Sequence, residues 1–372
     1  MRIGLLAQSI DRRTGIGRIA NALATEFVGR GHAVYCTAQN LEREDARVRT
    51  CRIPRVPFSK GLSKVLLRYY KSPFESDVDM FHSFGVGRGA QVVSAQSCHR
   101  AGLQLLRDTK YKERLTTGFY DSVSLGDERA LLTSHTTRRV VAVSQLVSRQ
   151  IQEYYDVDPG MISIVPNGVD QKFFERLASD NVRPRIRKEF GLREDDFVLL
   201  FVGNEFSRKG LDVLISVLRG LANKHVHLLV AGGGNRAGYA RLAADAGVAG
   251  QVKFVGSSSN PEPIYMAADM FVLPAIYEPF GIVVLEAMAA GVPVVVSRVC
   301  GAAEGMLHRH DLFLLEDHGS VEELVEAIRQ VRQDETLRRT MSEAGRIKAK
   351  EFSWDLIATK MLGVYSEVMR SQ

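Results

Sequence analysis

Cysteine is scarce in this 372-residue chain: Cys36, Cys51, Cys98 and Cys300 lie far apart, with no Cys-x-x-Cys pair. That pattern excludes a zinc ribbon and a disulfide framework and fits a chain kept in the reducing cytosol. Long hydrophobic runs are also missing. A spanning helix needs roughly 20 apolar residues, and the best stretch, Tyr277 to Val296, is interrupted by Glu278, Glu286 and two prolines. The opening MRIGLLAQSIDRR carries an apolar run too short for a secretory signal and reads as a first buried strand. No repeat of fixed period and no low-complexity tract occurs. There is no G-x-x-x-x-G-K-[ST], and no Asp-x-Asp stands at a strand end where it would hold a catalytic cation.

What is present is ordinary for a soluble globular enzyme, with 45% apolar and 25% charged residues. The length points to two domains of roughly 150 to 200 residues each. The formal charge of +6 is one-sided: residues 1–170 carry 24 Lys/Arg against 17 Asp/Glu, and residues 171–372 carry 25 against 26. A positive first half favours anionic partners such as nucleic acid, acidic polysaccharide or anionic lipid. No nucleic-acid recognition motif accompanies it, so a nucleic-acid partner is not expected.

Short apolar runs alternate with segments of helical period. RIGLLA, VVAVS, FVLLFVG, HLLVAGG, VKFVG, MFVLPA and VPVVVS read as buried parallel strands, and the stretches between them as crossover helices. The fold class is α/β, doubly wound. The turn-rich ISIVPNGVD and the polar stretch 179–196 place a domain boundary near 168. In the last segment Trp354, Ile357, Met361 and Val364 recur at helical spacing, which predicts an amphipathic helix.

Three loops carry candidate chemistry. Gly15 and Gly17 fall between the first strand and a helix start, where backbone N–H groups suit an anion; a plain tight turn would need the same glycines. Arg208 and Lys209 follow a strand and precede a helix, so they could neutralise a diphosphate at the sheet edge, or simply be a solvated loop. In YEPFGIVVLEAMAAGVPVVV, Glu278 lies in a loop and Glu286 about one turn inside the following helix. Between them the N–H groups of Phe280, Gly281 and Ile282 are helix-start donors. Two acceptors flanking such donors describe a site for a sugar joined to a nucleotide; a capping Glu278 and a surface Glu286 would be the structural alternative.

EPFGIVVLE resembles the E-P-F-G-x-x-x-x-E signature of the family 4 retaining glycosyltransferases. TGIGR, VPNGVD, RKGLDVLI, VAGGG, VKFVG and FSWDLIATKML extend the likeness along nearly the whole chain, and VGNEFSRKG, GIVVLEA and VSRVCGAAE are most similar to the bacterial lipopolysaccharide core glucosyltransferases. The resemblance implies a GT-B fold: two Rossmann-like domains facing across a cleft, residues 1–168 binding acceptor and 169–351 binding nucleotide sugar, with helix 352–372 crossing back to complete the first. It implies that Gly15 and Gly17 approach the donor, that Lys209 contacts the diphosphate, and that Glu278 holds sugar hydroxyls beside the Phe280, Gly281 and Ile282 amides. Glu286 would bind the ribose, and His99 would contact the transferred sugar. Many members carry arginine where this chain has Asn204, a charge Arg208 could supply, and the lipopolysaccharide branch has an aspartate where Gln96 and Ser97 stand here.

The implied activity is transfer of a hexose, glucose first, from a UDP-sugar to a saccharide or glycolipid acceptor, the heptose region of the lipopolysaccharide inner core, with retention and without a metal cofactor. A transferase using GDP-mannose and a UDP-sugar epimerase are the rival readings. Segments 47–74 and 98–120 mix Arg/Lys with Leu, Tyr and Phe, which fits a cytoplasmic enzyme resting on an anionic membrane surface through Lys60, Lys64 and Arg68. Loss of Lys209 is expected to lower turnover more than stability.

Overall fold

The computed structural model describes residues 1–11, 14–42, 47–54, 65–67, 69–107, 119–179, 182–257 and 262–371. Lys60, Lys64 and Arg68, the basic residues singled out for a membrane face, lie outside the described residues. The chain divides into two compact units, Met1–Gly168 with Trp354–Gln372, and Val169–Ser353.

In the first unit the strands are β1 (Arg2–Ile10), β2 (Ala33–Leu41), β3 (Val48–Arg52), β4 (Met80–Ser83), β5 (Val92–Ala95), β6 (Arg139–Ala142) and β7 (Ile162–Ile164). They form one sheet in the order β3-β2-β1-β4-β5-β6-β7, every pair parallel. The second unit holds β8 (Phe197–Val202), β9 (Val226–Ala231), β10 (Val252–Gly256), β11 (Met270–Leu273), β12 (Val294–Ser297) and β13 (Phe313–Leu315). Their order is β10-β9-β8-β11-β12-β13, again all parallel. Each sheet reverses its winding once, between β1 and β4 and between β8 and β11. Loops leaving the carboxyl ends of those neighbours are where doubly wound sheets bind ligands.

The α/β reading holds: each of the seven apolar runs picked from the sequence contributes a strand, because helices cover both faces of a parallel sheet and both faces must then be apolar. The turn-rich segment 162–170 begins with a short strand, β7, and the polar stretch 179–196 contains a helix, Arg183–Glu189. Arg187 anchors that helix. It is 4% exposed and donates to the carbonyls of Ala267, Arg193, Glu194 and Asp196 and to the Asp269 carboxylate, 2.7 Å away. A guanidinium with its fork filled in this way replaces its water shell completely enough to be buried.

The helix Trp354–Arg370 belongs to the first unit, although the whole second unit precedes it in sequence. Ile357, Met361 and Val364 are buried as their spacing predicts, and Trp354 is half-buried. Arg30 ties its start by donating to Asp355 Oδ1 at 2.6 Å and Thr359 Oγ1 at 2.9 Å. Deeper in the unit, His82 Nδ1 lies 2.6 Å from the Tyr365 hydroxyl and His82 Nε2 2.7 Å from Ser94 Oγ, with the ring stacked on Phe84. All three polar groups are buried, so each depends on the others for hydrogen bonding. Among the described residues no helix is long and apolar enough to cross a membrane.

Burial lowers the His82 pKa to about 3. Between that value and the unfolded value near 6.5 the unfolded chain binds a proton that the folded one refuses, so stability is lost as pH falls through this window. Urea unfolding of the wild type should therefore weaken below pH 6.5 by up to about 1.4 kcal/mol per pH unit more than His82→Gln does. Parallel pH profiles for the two proteins would contradict the assignment. Tyr365→Phe, which leaves Nδ1 unsatisfied, should cost about 1–3 kcal/mol at neutral pH.

Candidate functional site

In the second unit the loops after β8 and β11 meet across the winding reversal. Two glycines permit the approach. Gly210 adopts φ 78°, and a Cβ there would stand 2.2 Å from the Pro274 carbonyl oxygen. Both the left-handed backbone and the contact exclude a side chain. The Arg208 carbonyl accepts from the Ile276 N–H at 2.9 Å, and the Arg208 guanidinium donates to the Tyr277 carbonyl and to Glu205. Lys209 lays its methylenes across Gly203, where a Cβ would come within 2.2 Å of Lys209 Cδ. So guided, Lys209 Nζ reaches Glu278 Oε2 at 2.5 Å, and Arg208 lies 3.5 Å from the same oxygen.

This cluster is buried: Lys209 is 8% exposed and Glu278 7%. Burial alone would push the Glu278 carboxyl up, but the charges of Lys209 and Arg208 outweigh it and hold the group below its ordinary value. Arg208 is raised for the matching reason, against a burial penalty. Arg208 thus works as a strut between the two loops, with its donors engaged by Glu205, Tyr277 and Glu278. Asn204 accepts from the Gly233 N–H at 2.8 Å.

From Glu278 the chain turns into the helix Ile282–Ala289 through Gly281, at φ 93°, with no side-chain cap. A Cβ at Gly281 would meet Cys300 Sγ at 2.8 Å and Glu278 Cγ at 3.1 Å. Cys300 and its neighbours brace the loop from below. The Cys300 thiol donates to the Phe280 carbonyl at 3.0 Å, Gly301 N–H to the Glu278 carbonyl at 3.0 Å, and Ala302 N–H to the Phe280 carbonyl at 2.7 Å. Burial raises the Cys300 thiol to about 12, so it remains a protonated donor. The loop carbonyls are therefore engaged, while the helix start presents N–H groups and the positive end of the helix dipole. An ammonium and an uncapped helix start, one loop apart, can hold an anion.

Glu286, on the same helix, is 1% exposed, and the Tyr265 hydroxyl donates to its Oε2 at 2.7 Å. The two glutamates of the motif are thus both buried and separately held, Glu278 by cations and Glu286 by a phenol. Tyr265 and Cys300 were not visible as site residues in the sequence, since neither belongs to a spacing pattern around the motif.

The remaining predicted residues belong to the first unit. Gly15 and Gly17 open the helix Gly15–Gly29. Thr14 caps it, accepting from the Gly17 N–H at 3.0 Å, and Asp11 in turn accepts from Thr14. The Gly17 amide is thus committed to the cap, and a Cβ at Gly17 would lie 2.4 Å from Thr14 Oγ1. Gly15 is exposed, and a Cβ there would meet open space. His99 begins the helix His99–Arg107, with its ring one-third exposed. Among the described residues no three His, Cys, Asp or Glu side chains converge as metal ligands.

Removing one member of a buried ion pair leaves the other uncompensated, at a cost of about 3–5 kcal/mol. Glu278→Gln should lower unfolding stability by about that much, Lys209→Met by somewhat less because Arg208 still lies 3.5 Å from Glu278 Oε2, and the double variant by clearly less than their sum. The same measurement, set beside turnover, checks the sequence-based expectation that loss of Lys209 lowers turnover more than stability. Additive losses in a denaturant cycle would mean that the pair is not coupled.

Residues 182–348 match the family described as Glycosyl transferases group 1, and residues 13–173 the family described as Glycosyltransferase Family 4. The lipopolysaccharide glucosyltransferase WaaG of Escherichia coli (strain K12) is 30% identical over 224 residues, 59% of this chain and 59% of that protein. The D-inositol 3-phosphate glycosyltransferase of Corynebacterium aurimucosum is 31% identical over 233 residues, 60% of this chain and 55% of that one. The match thus spans under two thirds of the length of either relative. The crystal structure of WaaG, a glycosyltransferase involved in lipopolysaccharide biosynthesis, has the same fold, with a TM-score of 0.81 at 24% identity over 98% of this chain and 99% of that one. With both matched stretches in sequence and the doubly wound architecture of both units, the chain belongs to the family 4 glycosyltransferases, of GT-B fold.

Proposed function

We propose that the protein is a retaining hexosyltransferase that moves glucose from UDP-glucose to a saccharide acceptor in the heptose region of a lipopolysaccharide core. The observation that carries this reading is the buried Lys209–Glu278 pair beside the uncapped helix start at Gly281. A nucleotide sugar has the matching chemistry: a diphosphate for the ammonium and the amides, and hydroxyls at either end for carboxylates. In this reading Lys209 and the Phe280 to Ile282 backbone hold the diphosphate, and Glu278 accepts from hydroxyls of the transferred sugar. Glu286, fixed by Tyr265, takes the ribose hydroxyls. Residues 1–168 bind the acceptor, with Gly15, Gly17 and His99 contributing from that unit.

The reaction breaks the bond between the anomeric carbon and the diphosphate oxygen, and its electron pair stays on the diphosphate. The acceptor oxygen bonds to the same face of the sugar, and its proton passes to the departing phosphate oxygen. Negative charge grows on the leaving group as the sugar becomes cationic. Fixed donors at that position lower the barrier because they are already oriented when the charge develops. Lys209 and the helix start supply this stabilisation without a divalent cation in the proposed mechanism.

Likeness to a D-inositol 3-phosphate glycosyltransferase makes inositol phosphate the acceptor of the second reading. The test is a panel of UDP- and GDP-sugars, each with a heptose-terminated core saccharide or with D-inositol 3-phosphate, in EDTA, following nucleotide release and product mass and anomeric configuration. The account predicts UDP release, a product heavier by one hexose and a retained configuration. An isomerised sugar of unchanged mass, or no turnover of any donor, would contradict it. Glu286→Gln should weaken UDP-glucose binding about tenfold or more, the worth of a hydrogen bond to a charged group.

A further inference from the structure

His99 is held at two points by one helix. Phe119–Leu132 carries Asp121 and Glu128 seven residues apart, two turns on one face. Glu128 Oε1 accepts from the His99 N–H at 2.7 Å and Oε2 from the Arg100 N–H at 3.2 Å. It thereby fills the N-terminal end of the helix His99–Arg107, where two amides would otherwise lack partners. The Tyr155 hydroxyl donates to Oε2 as well, and Tyr155 is 5% exposed, so Glu128 is itself anchored to the core. Asp121 Oδ1 stands 3.3 Å from His99 Nε2. That nitrogen is shut off from solvent although the ring as a whole is one-third exposed, and in the structure it makes no aligned hydrogen bond to another group.

We propose that Asp121 and Glu128 are positioning residues for His99. Glu128 sets where the backbone of residue 99 begins its helix. Asp121 faces Nε2 and favours the tautomer carrying the proton there, which leaves Nδ1 as the ring's acceptor. An acceptor nitrogen suits a hydroxyl of the sugar or of the saccharide acceptor, and an anion would be repelled by the two carboxylates behind it. The inference rests on the reading of His99 as a substrate contact. Asp121 brings a carboxylate to the His99 ring from 22 positions downstream.

The test combines nitrogen-proton correlation spectra of the histidine rings, with His99 assigned through His99→Gln, and steady-state kinetics with UDP-glucose. The wild type should show His99 protonated at Nε2, and Asp121→Asn a mixture of tautomers. In that variant kcat should fall on the order of 10²-fold, the effect of misplacing a reacting group by about 1 Å, while the donor KM moves less than about twofold. Asp121→Glu, which retains the carboxylate, should recover the wild-type tautomer and much of kcat. Glu128→Gln should lower kcat without changing the tautomer. An unchanged His99 spectrum and kcat in Asp121→Asn overturns the proposal. If the spectrum changes as expected while His99→Gln keeps full activity, the positioning stands and the catalytic reading of His99 falls.

Discussion

An ammonium and a carboxylate buried against each other at the carboxyl edge of a parallel sheet set the requirements for the second unit. Taking Lys209 and Glu278 out of water costs several kcal/mol per ion, and contact between them returns only part of it unless the geometry is close. The close geometry comes from residues with nothing at Cβ. Gly203 yields room to the lysine stem, Gly210 lets the loop after β8 touch the one after β11, and Gly281 admits the Cys300 thiol. Arg208 then locks the two loops together through the Tyr277 carbonyl. A hydrophobic pair of similar volume would serve stability as well, so stability alone does not call for charge here.

The winding of the sheet explains why these groups converge. β8 and β11 are neighbours in space but lie on either side of a reversal in strand order, so their loops diverge into helices on opposite faces and leave a crevice between them. Lys209 arrives on one loop and Glu278 on the other. The following helix then contributes its amino end, and β12 contributes the Cys300 to Ala302 turn that engages the loop carbonyls. The cation thus comes from the end of β8, the carboxylate and the amides from the end of β11, and the brace from the end of β12, three neighbours in the sheet. The first unit uses its strand ends differently: the Gly17 amide is capped by Thr14, and the amides of the His99 helix are capped by Glu128.

The architecture was legible at long continuous apolar runs, as in FVLLFV and MFVLPA, but the three-residue β13, Phe313–Leu315, was passed over. It was not legible at β4 and β5, four residues each, which carry His82 and Ser94 in their interiors. Those polar residues make sense only beside Tyr365, 283 positions after His82 in the chain. The same distinction divides the site. EPFGIVVLE set two carboxylates in an apolar stretch, and both are buried, but the pairing of Glu278 with Lys209 spans 69 residues and depends on two turns no local pattern encodes. Tyr265, Cys300, Asp121 and Glu128 were missed because each acts through a tertiary contact. Arg208 read as a cation for a diphosphate or as a solvated loop residue; in the fold it donates to Glu205 on its own loop and to the Tyr277 carbonyl on the next, and only the second contact lay beyond sequence reading.

The claim that the buried pair exists to hold an activated sugar nucleotide is tested most directly by calorimetric titration of UDP into the wild type and into the Lys209→Met/Glu278→Gln double variant, in which both members of the pair are neutral and Arg208 keeps Glu205 as its partner. The account predicts saturable binding to the wild type and at least about tenfold weaker binding to a double variant that remains folded, since a charge-assisted contact to phosphate is lost. Equal affinity in the two proteins, or no uptake of UDP by the wild type, would contradict it.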